Sequence, residues 1–316
     1  MSDYGRNQGQ WGIKLGYWAD WLNRGTELSA YFVNYHSKLP FLEYSNGTPA
    51  GLGLGGTGQQ FRAVYPEDIR YFGGSFATTI SGVAVSGESL YSPNMPLQLS
   101  SGEILLARIA SNAGSPFGAV LPYNNTPGAF PRGYIRRKVV QGQLTAVAIE
   151  NPSSPITSLL QGDLTTIIVN WGYQWLPGIS DRDLSVVSGG RGSELTHPNG
   201  LLFPSALATN PQQPLIHADK FSTGYRLSVI EDFNNAFNTP WKVSPNIQWA
   251  QDFGGTSAGM IGPGFLKDKK TITVGVTADL QNVWKVNLAY TNSFGNKFQN
   301  YTQDRDFVSF SVSYAF

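Results

Sequence analysis

The sequence predicts an all-β chain: a transmembrane, antiparallel, up-and-down β-barrel region with long external loops. Three observations predict it. Apolar and small polar residues alternate with a period of two along most of the chain, whereas helical periodicity is scarce. The connections between these runs are alternately short and long. The terminal run "RDFVSFSVSYAF" sets Val308, Phe310, Val312, Tyr314 and Phe316 against Ser309, Ser311, Ser313 and Ala315. Such a strand either turns its apolar side to a core, or turns it to lipid and its serines to a wet interior.

Composition agrees with the second arrangement. The 316 residues carry 22 Lys+Arg and 21 Asp+Glu, a net charge of +1, which gives bulk electrostatics no hold on nucleic acid. Charged residues make up only 14%, against the usual quarter, while aromatics reach 13% and there are 36 glycines. The absence of cysteine excludes disulfides and thiolate metal sites. No run approaches the roughly 18 consecutive apolar residues of a membrane-spanning helix. "MSDYGRNQGQ" has neither the basic start nor the apolar core of a signal peptide.

The strands follow in order. "QWGIKLGYWAD" places Trp11, Ile13, Leu15, Tyr17 and Ala19 on one side and Gly12, Lys14, Gly16, Trp18 and Asp20 on the other. "TELSAYFVNYH", "IRYFGGSFATTI", "VAVSGESLY" and "VVQGQLTAVAIE" come next, then "LTTIIVNWGYQW", "KFSTGYRLSVIE" and "WKVSPNIQWAQD". "TITVGVTADL", "VWKVNLAYT" and the terminal run complete about eleven candidates, each long enough to cross a bilayer when tilted.

Short connections are "WLNRG", Ser81-Gly82, "NPSSPITSLLQGD", "DFNNAFNTP" and Gln281-Asn282. Long ones span 38–67, 92–137, 177–218 and 253–269, with a medium one near 293–304. This asymmetry belongs to outer-membrane barrels. An odd strand count conflicts with the even number and inward-facing termini of a complete bacterial barrel. The expectation is therefore a single barrel region over 1–316, part of a larger even-stranded barrel whose N-terminal strands and signal peptide lie outside it.

Alternation assigns an interior face. Lys14, Asp20, Glu88, Asn170, Arg226, Lys242, Asp252, Asp279 and Lys285 fall on it, joined by Gln141, Gln143, Gln174, Asn246, Gln248 and Asn287. A charge in mid-bilayer lipid costs roughly 2–4 kcal/mol, which turns these groups inward. They line a transport path or form an ion-pair network that holds the barrel. Trp18, Trp21, Tyr35, Tyr71, Trp171, Trp175, Trp241, Trp249, Trp284 and Tyr301 gather near strand ends and read as interfacial girdles.

Catalytic signals are weak. Asn34, His36 and Ser37 are close in sequence, but positions i, i+2 and i+3 of a strand make no relay. The other histidines, His197 and His217, lie in a Pro-rich loop, and no metal-ligand cluster stands out. A G-x-G-x-x-G match at Gly53, Gly55 and Gly58 lacks the strand and helix that dinucleotide binding needs. No cofactor is expected. "SSGEILLARIASNA" carries a capping-box pattern, Ser100 and Glu103, and reads as a short helix in the mouth or on a surface loop.

Three stretches, "NYHSKLP" (34–40), "YPEDIRYFGGSFATT" (65–79) and "SPNMPLQL" (92–99), carry a further resemblance. With them the chain resembles the C-terminal portion of a family of large proteobacterial outer-membrane proteins, domain of unknown function 1302. The resemblance implies a signal peptide and more N-terminal strands in the parent chain. It also implies a periplasmic partner, an efflux-type inner-membrane transporter and lipid-like cargo. It supplies no catalytic residues.

The function expected is a conduit in the Gram-negative outer membrane for amphipathic or hydrophobic molecules. The alternatives are a permanently plugged structural barrel, a general porin or an outer-membrane hydrolase. Expected partners are outer-membrane lipid and the barrel-assembly machinery, which would read Phe310, Val312, Tyr314 and Phe316. A periplasmic lipid-binding protein and the inner-membrane transporter join them, and nucleic acid does not.

Overall fold

The computed structural model describes residues 2–3, 5–44, 61–99, 132–184, 187, 218–258, 264–296, 300 and 302–315. The fold is all-β. In chain order its strands are β1 (Ser2–Asp3), β2 (Trp11–Ala19), β3 (Thr26–Tyr35), β4 (Phe41–Tyr44), β5 (Phe61–Val64), β6 (Ile69–Ile80) and β7 (Val83–Gln98). They continue as β8 (Tyr134–Glu150), β9 (Leu164–Trp175), β10 (Phe221–Asp232), β11 (Trp241–Gly254), β12 (Lys270–Leu280), β13 (Trp284–Phe294) and β14 (Phe307–Tyr314). Two short helices, α1 (Pro155–Leu160) and α2 (Asp181–Leu184), sit in connections.

One sheet of 11 strands runs β2-β3-β6-β7-β8-β9-β10-β11-β12-β13-β14, every neighbour antiparallel. β2 and β14 are its two edges and do not pair with one another. Every strand of this sheet corresponds to one of the period-2 runs. A separate three-stranded sheet, β1-β5-β4, forms from the connection between β3 and β6 and the chain ahead of β2.

Turn chemistry closes the short hairpins at one end. Ser81 and Gly82 take φ of 50° and 86°, the paired left-handed geometry of a type I′ turn. Gln281 and Asn282, at 52° and 60°, do the same work between β12 and β13. α1 fills the longest short-end connection, with Ser154 as its N-cap accepting from Thr157 N. All the long connections leave from the opposite end.

Register joins residues of like character across the sheet. One face carries Lys14, Glu27, Glu88, Gln143, Asn170, Arg226, Gln248, Thr273 and Thr291. The other carries Leu15, Phe76, Leu144, Val169, Leu227, Ile247, Val274 and Tyr290. Large apolar side chains of this second face are exposed on strand after strand, from Leu15 and Phe76 through Leu144 and Ile247 to Phe310. Soluble monomers rarely expose contiguous apolar patches beyond a few hundred Å².

The pattern reverses near the loop end of β7 and β8. A register shift between Ser92 and Met95 marks the change. Beyond it Met95, Leu97, Ile135 and Val139 are buried on the side that was polar below. Pro96, Gln98, Arg136 and Tyr134 stand on the other side. There Gln98 binds Leu42 O and Gly133 O, and Phe41 packs against the Tyr134 ring, so the small sheet covers this side of the large sheet at its loop end. Strands β7 and β8 are therefore 16 and 17 residues long, and the expected loop 92–137 loses both its ends to strand.

Candidate functional site

The polar face is the candidate site. Fourteen of the fifteen expected interior residues stand on it by register: Lys14, Glu88, Asn170, Arg226, Lys242, Asp252, Asp279 and Lys285, with Gln141, Gln143, Gln174, Asn246, Gln248 and Asn287. Asp20 lies just past β2, in the turn, where register no longer assigns a face; its Oδ1 accepts from Nε1 of polar-side Trp18 at 2.6 Å. The face is balanced by local pairs rather than by one chain of charges. Lys14 pairs with Glu27 at 3.8 Å, Arg226 with Asp252 at 2.9 Å, and Lys242 with Asp232 at 3.4 Å. Asp279 is opposite both Lys242 and Lys285 in register, and its Oδ1 accepts the Asn282 N–H that closes the turn.

The connection between β11 and β12 folds back onto this face. Asp252, 3% exposed, accepts from Arg226 through one oxygen and from the Leu266 N–H through the other. Gln174 Oε1 accepts the Ala258 N–H at 3.0 Å. These anchors lay buried Phe265 over Gly172, whose missing Cβ would come within 3.2 Å of its ring. Beneath Phe265 is a cavity of about 360 Å³ that brings Glu88, Asn170 and Arg226 together with Leu90, Gln141 and Gln143. Lys14, Lys242, Asp279 and Lys285 do not reach it.

Above the cavity the face turns apolar and closed. Ile69, Met95, Leu97, Ile135, Val139, Leu176, Ile179 and Leu184 form a buried cluster, with Tyr35 and Tyr71 against it. α2 is latched there by the Arg137 guanidinium, which grips the Asp183 carboxylate at 2.7 and 2.9 Å. That contact holds the Asp183 carboxyl below the usual carboxylate range. Tyr35 and Tyr71 stack at 5.5 Å on this side, so they do not belong to an outer girdle, and Trp18 also faces the polar side by register. Trp171, Trp175, Trp241, Trp249 and Trp284 do stand on the apolar face.

At the loop rim, the three stretches singled out in the sequence meet. His36, 2% exposed, accepts the Asp68 N–H at Nδ1, so its Nε2 carries the proton and donates to Gln8 O at 2.8 Å. Asn34 donates to Asp68, Asn94 donates to Asp68 O, and Arg136 donates to Glu67 O. Arg6 N donates to Glu67 Oε1 and its guanidinium to Glu67 Oε2 and Asp68 Oδ2, at 2.6–2.9 Å. Arg6 depresses the Glu67 carboxyl, and Asn34 and then Arg6 depress that of Asp68. The histidine is thus occupied on both nitrogens, and the Ser37 hydroxyl donates to Leu39 O instead. Among the described residues no Ser–His pair forms.

Nothing in the spacing of the sequence pointed to Arg6, Arg136, Gln98 or Phe265. The partners of Arg6 and Arg136 are 42 to 69 residues away along the chain, Gln98 reaches backbone carbonyls 35 and 56 residues away, and Phe265 packs over a glycine. The G-x-G-x-x-G match, the capping-box stretch, His197, His217, Tyr301 and Phe316 lie outside the described residues. Phe310, Val312 and Tyr314 stand together on the apolar face of β14.

Comparison with known proteins gives a family. Residues 2–316 match the proteins of unknown function termed DUF1302. The chain belongs to this family. No curated protein and no solved structure matches it. Within this DUF1302 chain the rim knot accounts physically for the most distinctive sequence stretches: they hold one another.

Proposed function

We propose that this DUF1302 chain is the wall of a β-barrel in the Gram-negative outer membrane, and that the barrel conducts amphipathic or hydrophobic molecules past a loop constriction. One observation carries the reading. The sheet exposes its apolar side chains and collects its polar ones on the opposite face, which is the inside-out polarity of a strand wall in lipid. In water, an exposed apolar face of this extent would drive association. The aromatic residues sit at both ends of the apolar face: Trp241, Trp284 and Tyr314 near the short turns, Trp11, Trp175 and Phe221 near the loops.

Eleven antiparallel strands leave β2 and β14 running in the same direction. Direct closure would be parallel, so an all-antiparallel barrel takes an odd number of further strands between these edges. We place those strands in the parent chain. Lipid solvates the apolar face. The assembly machinery reads the Phe310, Val312 and Tyr314 side of β14, and a periplasmic lipid-binding partner with an inner-membrane efflux-type transporter supplies cargo and drive. No catalytic step and no nucleic-acid contact enters.

The test is ion conductance of the full-length protein in a planar bilayer, alone and with Phe265→Ala plus Arg137→Ala. Near silence in the wild type that becomes current in the double variant supports a gated conduit. Steady wild-type current points to an open porin instead. The buried cluster around Leu97 and Leu184 favours a second reading, a permanently plugged structural barrel. Silence in both proteins, with insertion verified, selects it.

A further inference from the structure

The cavity under Phe265 has a chemical preference that the rest of the polar face lacks. Two ionised groups line it, Glu88 and Arg226. The guanidinium is already committed, through Nη1, to Asp252 Oδ1 and Tyr225 O, both at 2.9 Å. Glu88 has no cation within 4.0 Å among the described residues. The unbalanced charge of the cavity is therefore one carboxylate. Of the neutral groups, the Asn170 amide gives one N–H to Thr145 Oγ1 at 2.7 Å. A carboxylate without a cation is costly in a half-desolvated space. Leu90, next to Glu88 on the same face of β7, and Phe265 are apolar.

We propose that this cavity is a binding subsite for a primary organic ammonium ion with an apolar body. Its N–H donors and positive charge meet Glu88, and its hydrocarbon part lies against Leu90 and the Phe265 ring, which also attracts a cation through its face. A bare divalent ion is a poor match, because hard cations take six or more oxygens and usually several carboxylates. A quaternary ammonium is also inferior, since it offers the Glu88 carboxylate no N–H. The volume, about 360 Å³, suits one ring or a short chain rather than a whole lipid. The inference rests on the conduit reading only for how the ligand arrives.

Calorimetric titration of the full-length protein, refolded in detergent, tests it with three probes of one size: phenethylammonium, 2-phenylethanol and 3-phenylpropionate. The ammonium ion is expected to bind at least about tenfold tighter than the alcohol, the order of one charged hydrogen bond. Glu88→Gln should abolish that preference and leave alcohol binding unchanged, which separates loss of the charge from loss of the fold. Phe265→Ala should weaken both probes together. Equal affinity for ammonium and alcohol, or an unaltered preference in Glu88→Gln, overturns the site. Tightest binding of the carboxylate overturns it too, in favour of an anion site at Arg226. Because binding is read in detergent, a silent bilayer leaves it intact, and a lost preference leaves the conductance result standing.

Discussion

Val274→Arg separates a lipid-facing wall from a sheet in water. Val274 stands on the apolar face of β12, 52% exposed, opposite Ile247 on β11 and Tyr290 on β13. It lies one step from the middle of the apolar set Ile272, Val274, Val276, Ala278 and Leu280. In water it is an exposed position away from any cap or network, where a substitution changes stability by about 0.5 kcal/mol or less. At the middle of a bilayer the guanidinium costs about 2–4 kcal/mol, a factor of roughly 30 to 1,000 in the folding equilibrium. Ser309→Arg is the control, an exposed polar-face position of β14 opposite Ala289. Both variants are folded into short-chain phosphatidylcholine vesicles across a urea series, and the folded fraction is read by heat-dependent gel mobility. The reasoning predicts a large loss for Val274→Arg and a small one for Ser309→Arg. Equal losses, within about 0.5 kcal/mol, would refute the assignment of the apolar face to lipid.

Asp252→Ala strands both the Leu266 N–H and Arg226; because Arg226 is half exposed, the loss should be about 2 kcal/mol, read by urea unfolding together with faster proteolysis of the Phe265 connection. Gly224→Ala should act on the same carboxylate, since its Cβ would stand 2.6 Å from Asp252 Oδ1, and cost about 1–3 kcal/mol in the same assay. The Arg137–Asp183 latch has a folded carboxyl pKa below its unfolded value, so its contribution is full above the ordinary value of about 3.9 and is lost as pH falls through the lower, folded one. Protease cleavage near α2 should accordingly rise only in acid below that range, and Asp183→Asn should remove the acid step. His36→Leu leaves the Asp68 N–H and Gln8 O without partners, and a drop of about 1–3 kcal/mol is expected in urea midpoints with the strand content by circular dichroism unchanged.

The eleven strands were legible because each carries its own period-2 signal, and a face repeated across a sheet needs no knowledge of partners. Asp20 lies one residue past the end of β2, where alternation no longer fixes a face. Tyr35 and Tyr71 were misread because nearness to a strand end does not say which face a ring takes. The upper parts of β7 and β8 were hidden for a subtler reason. Polarity reverses at the register shift after Ser92, and Pro93 and Pro96 look like breakers, so one continuous strand reads as a strand followed by a loop. The cavity was only half visible: Glu88, Asn170 and Arg226 follow from alternation, whereas Phe265 arrives from a connection whose path depends on buried Asp252 and Gln174.

That reversal of polarity is also a depth gauge. From Val83 at the turn to Tyr91 just below the shift, β7 is apolar-outward over residues 83–91. Nine residues rise about 30 Å along the strand, or about 23 Å along the normal at a tilt of about 40°. That matches the apolar band of an outer-membrane wall and falls short of the roughly 30 Å core of an average bilayer. For the proposed wall in a thicker film, the lipid would have to thin around the protein or the polar loop-end surface would have to sink into it, at fractions of a kcal/mol per Å. Insertion should therefore be fastest and most complete in short-chain lipid, and hydrophobic mismatch alone would help retain the folded wall in the thinner of two membranes.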